Sequence, residues 1–223
     1  KAGYSSTGDS NTFIGYQAGY ANTSGTNNII AGFQAGVGGA DPEVTSITNM
    51  TGSYNMFLGN KSGYQNTTGL RNTFLGYQTG YSNTTGTRNI FMGDNSGYSN
   101  TSGARNIFIG ASDGDSSSGC GYSNTTGLRN AFIGFEAGEK NVSGNDNICF
   151  GPRAGNANST GDRNLYAGNL AGTLGTSGSD NICLGTTAGY TNTTGASNIN
   201  IGNKAGYTAQ TGSNTIMIGN RAG

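Results

Sequence analysis

The side chains able to do chemistry in this chain are few, and most recur at one spacing. Among 223 residues there is no histidine, which removes the commonest general base and the commonest transition-metal ligand together. A nucleophile–base pair would have to be built from Lys140 or Lys204 and a serine, so neither an enzyme nor a cofactor is expected. Aspartates stand singly, as at Asp9, Asp41, Asp94 and Asp113. No carboxylate set repeats at the spacing of calcium-binding β-rolls, so no metal site is expected. Of the three cysteines, Cys149 and Cys183 hold the same place in a repeat, two repeats apart. At strand spacing that is roughly 9.6 Å, beyond disulfide reach, and both read as small buried apolar residues. Cys120 falls in an insertion and reads as a free thiol.

Other chemistry-bearing residues form columns. Glycosylation sequons recur at Asn22, Asn49, Asn66, Asn83, Asn100, Asn124, Asn141, Asn158 and Asn192, with one more at Asn60. One reading is a fibre coated with sugar along an edge; the other is that Asn and Thr are good turn residues, repeated with the turn. Arg71, Arg88, Arg105 and Arg129 make a cationic stripe for an acidic glycan, or a solvated, salt-screened edge. Thr67/Thr68, Thr84/Thr85, Thr125/Thr126 and Thr193/Thr194 suggest water or ice ordering, although they lie in a turn. Tyrosines at 20, 64, 81, 98, 122, 190 and 207 offer a sugar-stacking strip or simply stack on one another.

These columns exist because the chain is a tandem repeat. The unit 72–88 runs Asn-Thr-Phe-Leu-Gly-Tyr-Gln-Thr-Gly-Tyr-Ser-Asn-Thr-Thr-Gly-Thr-Arg, and Asn89 begins it again. We number its 17 positions from that opening asparagine. The glycine at position five recurs from Gly15 to Gly219 at intervals of 17, broken by one of 27 and one of 24. Such a period marks a stacked-repeat architecture. Glycine is abundant at 42 residues, yet lacks the every-third spacing of collagen. Eleven cationic and eleven anionic residues balance, so no net field points to nucleic acid, and no apolar run is long enough for membrane insertion.

The expected fold is all-β: a parallel β-solenoid, a β-roll or β-helix of about twelve rungs, forming one array over residues 1–223 with loop insertions near 37–46 and 115–121. Both termini stop within a unit, so the array is expected to be open-ended. Positions two to four are the strand, with apolar residues on both faces. Positions two and four share one face and are assigned to the interior. Position three, with Phe13, Phe57, Phe74, Phe91, Phe108 and Phe132, then points outward. A bare aromatic row of that length needs a cover, so a homotrimer with the Phe column at its interface is expected. Stacked asparagines at position one are expected to bond amide to amide up the fibre.

Residues 11–20 and 72–81, Asn-Thr-Phe-Ile-Gly-Tyr-Gln-Ala-Gly-Tyr and Asn-Thr-Phe-Leu-Gly-Tyr-Gln-Thr-Gly-Tyr, resemble the Asn-x-Φ-x-Ile-Gly repeats of trimeric autotransporter adhesin heads. They are more similar still to the longer repeats of bacterial and phage tail-fibre-like surface proteins. The resemblance spans nearly the whole chain and departs in its longer period. It implies an extracellular, homotrimeric, fibrous attachment protein on a bacterial or phage surface, with a host-surface or glycan target. The expected function is a stiff multivalent rod. The alternative is a filament subunit joined end to end, and a third possibility is an ice- or glycan-binding solenoid.

Overall fold

The structure, a computed structural model, describes residues 1–39, 49–112, 118–208 and 211–223. Each repeat contributes one three-residue strand. In chain order these are β1 (Thr12–Ile14), β2 (Ile29–Ala31), β3 (Met56–Leu58), β4 (Thr73–Leu75), β5 (Ile90–Met92) and β6 (Ile107–Ile109). They continue as β7 (Ala131–Ile133), β8 (Ile148–Phe150), β9 (Leu165–Ala167), β10 (Ile182–Leu184), β11 (Ile199–Ile201) and β12 (Ile216–Ile218). All twelve pair in parallel, in sequence order, within one sheet. Every pair is in the register of the repeat: Phe74 faces Phe91, which faces Phe108. The two insertions leave that register unchanged across Phe57 and Phe132.

The strand faces are the reverse of the sequence expectation. Phe57, Phe74, Phe91, Phe108 and Phe132 are fully buried inside a single chain, and Phe13 on the end rung packs against the same core. Positions two and four look outward, with Ile90, Ile107 and Ile148 retaining 40%, 38% and 49% of their surface. Hence the Phe column is not a surface awaiting identical chains. The reason is geometric. A three-residue strand sends only its middle side chain inward, and the rest of a 17-residue coil leaves room for one large side chain per rung. The opposing wall is shaped around that ring. Position eight is small and buried, as at Ala18, Ser96 and Ala137, and position nine is glycine. A methyl at Gly97 (φ 60°) would lie 2.5 Å from Phe91 Cε2, so the ring and the glycine require each other.

The stacked rings measure the rise. Phe74–Phe91 and Phe91–Phe108 centroids lie 4.9 and 4.7 Å apart, with planes within 5° and 4°. Rungs also approach closely at position five, where a Cβ at Gly93 (φ 110°) would meet Gly110 O at 2.7 Å. Two further positions take the left-handed backbone without glycine: position seven, as at Gln78 (φ 50°), and position seventeen, as at Arg88 (φ 58°). Long unbranched side chains predominate there, because a β-branched residue suffers most in that region.

The insertions are narrower than their sequence bounds. Val37 is buried in the tyrosine column, and Gly38 N donates to Tyr64 O as rung backbone does. Cys120 and Gly121 likewise belong to a rung, at positions eight and nine. Cys120 is buried and its Sγ donates to Phe132 O, as Ser96 Oγ does to Phe108 O. It is therefore a core residue. Of the two insertions, residues 40–46 and 115–117 lie outside the described residues.

Candidate functional site

Two asparagine columns run the length of the coil, and both are internal fasteners. At position one, the amide oxygen accepts from the backbone N–H one rung on. Asn72 N donates to Asn55 Oδ1 at 3.0 Å, Asn89 N to Asn72 Oδ1 at 3.0 Å and Asn106 N to Asn89 Oδ1 at 2.9 Å. The amide nitrogen donates across the rung, as from Asn89 Nδ2 to Gly103 O at 2.8 Å. Thus most of this column's bonding goes to backbone rather than amide to amide.

The amide ladder expected there lies instead in the sequon column. Asn83 Nδ2 donates to Asn66 Oδ1 at 2.7 Å, Asn100 to Asn83 at 2.8 Å, Asn124 to Asn100 at 2.7 Å and Asn141 to Asn124 at 2.8 Å. The same nitrogen closes its own turn, as from Asn100 Nδ2 to Gly103 O. Both amide hydrogens are committed at Asn22, Asn83, Asn100, Asn124, Asn141, Asn158 and Asn192, and these residues and Asn66 are buried. An N-glycan replaces one of those hydrogens and needs an outlet. Glycosylation at Asn22, Asn66, Asn83, Asn100, Asn124, Asn141, Asn158 and Asn192 is therefore incompatible with the folded rod. Asn49 is the exception within the column: it is exposed, and Met50 beside it is buried in the core cluster. Asn60 is also exposed.

The ladder shows where it is interrupted. Among the described residues, four buried amide oxygens lack a hydrogen-bond partner: those of Asn22, Asn158, Asn192 and Asn200. Asn22 is followed in its column by the exposed Asn49, and Asn158 by Gly175, which has no side-chain amide. Asn200 stands in the Phe column itself, buried above Cys183, with its Nδ2 3.6 Å from Cys183 Sγ.

The remaining columns are partly spent on the fold. The first threonine of each pair donates its hydroxyl to the next rung, as from Thr67 Oγ1 to Thr84 O at 3.0 Å, leaving the second, such as Thr68 and Thr85, exposed. Tyr64, Tyr81, Tyr98 and Tyr122 stack at 4.9 to 5.1 Å, so their ring faces cover one another and are closed to a sugar. Arg71, Arg88 and Arg105 are exposed. Arg129 pairs with Asp146 at 2.6 Å and Arg163 with Asp180 at 2.7 Å. Each Arg lowers the pKa of its aspartate through the side-chain hydrogen bonds first.

All three thiols are buried and unpaired with one another. Desolvation pushes Cys120 and Cys149 well above the ordinary thiol range and Cys183 up to about 11, so they are protonated and poor nucleophiles at neutral pH. Among the described residues, no group of three His, Cys, Asp or Glu is placed to hold a metal ion. No helix there is long and apolar enough to cross a membrane.

What the rod does present is its outer sheet face. Positions two and four supply 24 side chains over twelve strands, all apolar except Thr12 and Thr73, and none charged. Tyr16, Phe33 and Tyr77 extend the apolar surface at position six, each about half exposed. Positions two and four are the strand residues that the sequence places inside; the signal of the opposite sidedness is a glycine at position nine, six residues after Phe13, Phe57, Phe74, Phe91 and Phe132 and, across the insertion, at Gly121 for Phe108. No protein-family model, curated protein or solved structure matches the chain.

Proposed function

We propose that the chain is a segment of an extracellular fibre, a stiff non-catalytic rod on a bacterial or phage surface that acts through multivalent contact. The observation that supports this is the unbroken register of twelve parallel strands. Every rung repeats its outward side chains at one spacing, with the amide columns locking neighbouring rungs. A flexible linker would spend its contact energy on ordering, whereas a rod keeps identical surfaces at fixed separation, so individually weak contacts add. The resemblance to adhesin and tail-fibre repeats assigns the setting, and the target is then a host surface or glycan.

The test is bead attachment. Beads carrying the whole chain, or a version lacking four complete units, are bound to bacterial cells, animal cells and a glycan panel under flow. The rod reading expects retention of the whole chain to fall more than in proportion to the units removed. Proportional retention, or no retention on any surface, would contradict it.

A further inference from the structure

A parallel sheet is ordinarily covered on both faces. Here one face is covered by the chain's own coil and the other is bare, with Ile90, Ile107 and Ile148 each at least 38% exposed at the centre of the sheet. We infer that this outer face packs against the same face of a second copy of the chain, forming a face-to-face pair.

Three observations select that occupant. First, the face carries no charge at any of its 24 positions, so nothing on it pairs with a charged ligand and its removal from water is nearly all gain. Second, it is periodic. Its side chains repeat at the rung spacing that the ring stack sets, 4.7 to 5.0 Å. A partner must hold the same period to stay in contact along the whole rod, and a second copy does. Adjacent Phe rings between Phe57 and Phe132 differ by only 4° to 12° in plane, so the column behind the face keeps one orientation from rung to rung. Third, the area is sufficient. Twelve strands of three residues span about 53 Å by about 10 Å. With the side chains and the exposed rings of Tyr16, Phe33 and Tyr77 at position six, where Asp94 is the one charged residue, the surface approaches the roughly 800 Å² per partner of a stable interface.

The same dimensions favour two copies over three. Stacked sheets stand about 10 Å apart, so each lies about 5 Å from the shared axis or plane. Three sheets closing around a threefold axis at that distance would each need a face roughly 17 Å wide, against about 10 Å for a three-residue strand. A twofold pair has no such gap, and it is the commonest closed symmetry.

The experiment is solution mass by light scattering after size exclusion, at two concentrations, for the wild-type chain and for Ile107→Glu/Ile148→Glu. Both substituted side chains are exposed in the single chain, so the variant keeps its far-ultraviolet spectrum and cooperative melt. The expected result is a mass of two chains for the wild type and one for the variant. A wild-type monomer at both concentrations overturns the inference, as does a mass of three, or a two-chain mass that survives the double substitution. A wild-type monomer that also shaped growing ice crystals would assign the face to ice instead. Should the Glu variant fail to fold, Ile107→Thr/Ile148→Thr replaces it. Pairing weakened by about tenfold or more then supports the inference, and unchanged pairing overturns it. Pairing concerns the bare face and not the rod's role, so failure in the bead assay and failure here are separable.

Discussion

Between β3 and β7 the interior is a continuous stack of phenyl rings, Phe57 to Phe132. Between β8 and β11 the same inward position holds Cys149, Tyr166, Cys183 and Asn200. The linings differ as well. Ser62, Thr79, Ser96 and Cys120 at position eight each donate to a carbonyl in the first region, with Ala137 the exception on its last rung, whereas Ala154, Ala171, Ala188 and Ala205 fill it in the second. Yet the position-one asparagines fasten the rungs equally well in both regions. Asn72 N to Asn55 Oδ1 and Asn181 N to Asn164 Oδ1 are both 3.0 Å. The rise and register therefore come from the hydrogen-bonded columns, and the core filler supplies stability that varies along the rod.

If that is right, core substitutions will separate the two regions sharply. Phe91→Ala empties a ring-sized space between two other rings and is expected to cost about 3–5 kcal/mol, while Cys183→Ala costs about 1 kcal/mol. Urea midpoints of the two variants, compared at equal slope, check this; equal losses would mean that the filler is not what distinguishes the regions.

Asn200 is where the second region is weakest, since its amide oxygen is buried without a partner. Asn200→Phe restores the residue type of the first region and is expected to stabilise the chain by roughly 1–3 kcal/mol. A lower melting temperature would show that the coil narrows there and cannot accept a ring.

The amide column allows a finer comparison. Asn100 donates to Asn83 Oδ1 and accepts from Asn124, whereas the oxygen of Asn158 is already unpaired. Asn100→Ala is expected to cost roughly 1–3 kcal/mol, and Asn158→Ala less. Parity between them in chemical denaturation would remove the ladder from the account.

Two smaller effects follow. Burial raises the Cys183 thiol to about 11 in the folded chain. A pKa raised on folding gives stability that is full below the unfolded thiol's pKa and is lost as pH rises through about 11. Cys183→Ala should therefore flatten the decline in melting temperature between neutral pH and pH 11, and an unchanged slope would count against it. Last, Asp180→Asn breaks an exposed pair with Arg163, and the midpoint should not move measurably.

Much of the fold was legible in the residues. The 17-residue period, the strand at positions two to four and the two interruptions follow from the spacing of glycines and asparagines, which is a local property. Sidedness was not legible from apolarity, because Ile90, Phe91 and Met92 are all apolar and alternation carries no sign. What carries the sign is Gly97, placed under the ring of Phe91, a contact between residues six apart that hydropathy does not register. The sequons are ambiguous for a related reason. Asn-x-Thr reads as an acceptor only if the amide faces solvent, and Asn83 faces the next rung. The place of Cys120 is not legible either, because counting alone cannot tell at which end of a seven-residue gap the regular coil resumes.

The central claim is the sidedness of the strand: Phe91 inside one chain, Ile90 outside. It is tested most directly by placing the same charge at adjacent residues, in Ile90→Glu and Phe91→Glu, and following far-ultraviolet dichroism through urea unfolding. The account predicts a cooperative transition for Ile90→Glu and none for Phe91→Glu. A folded Phe91→Glu beside an unfolded Ile90→Glu would return the phenyl column to the outer face and contradict it.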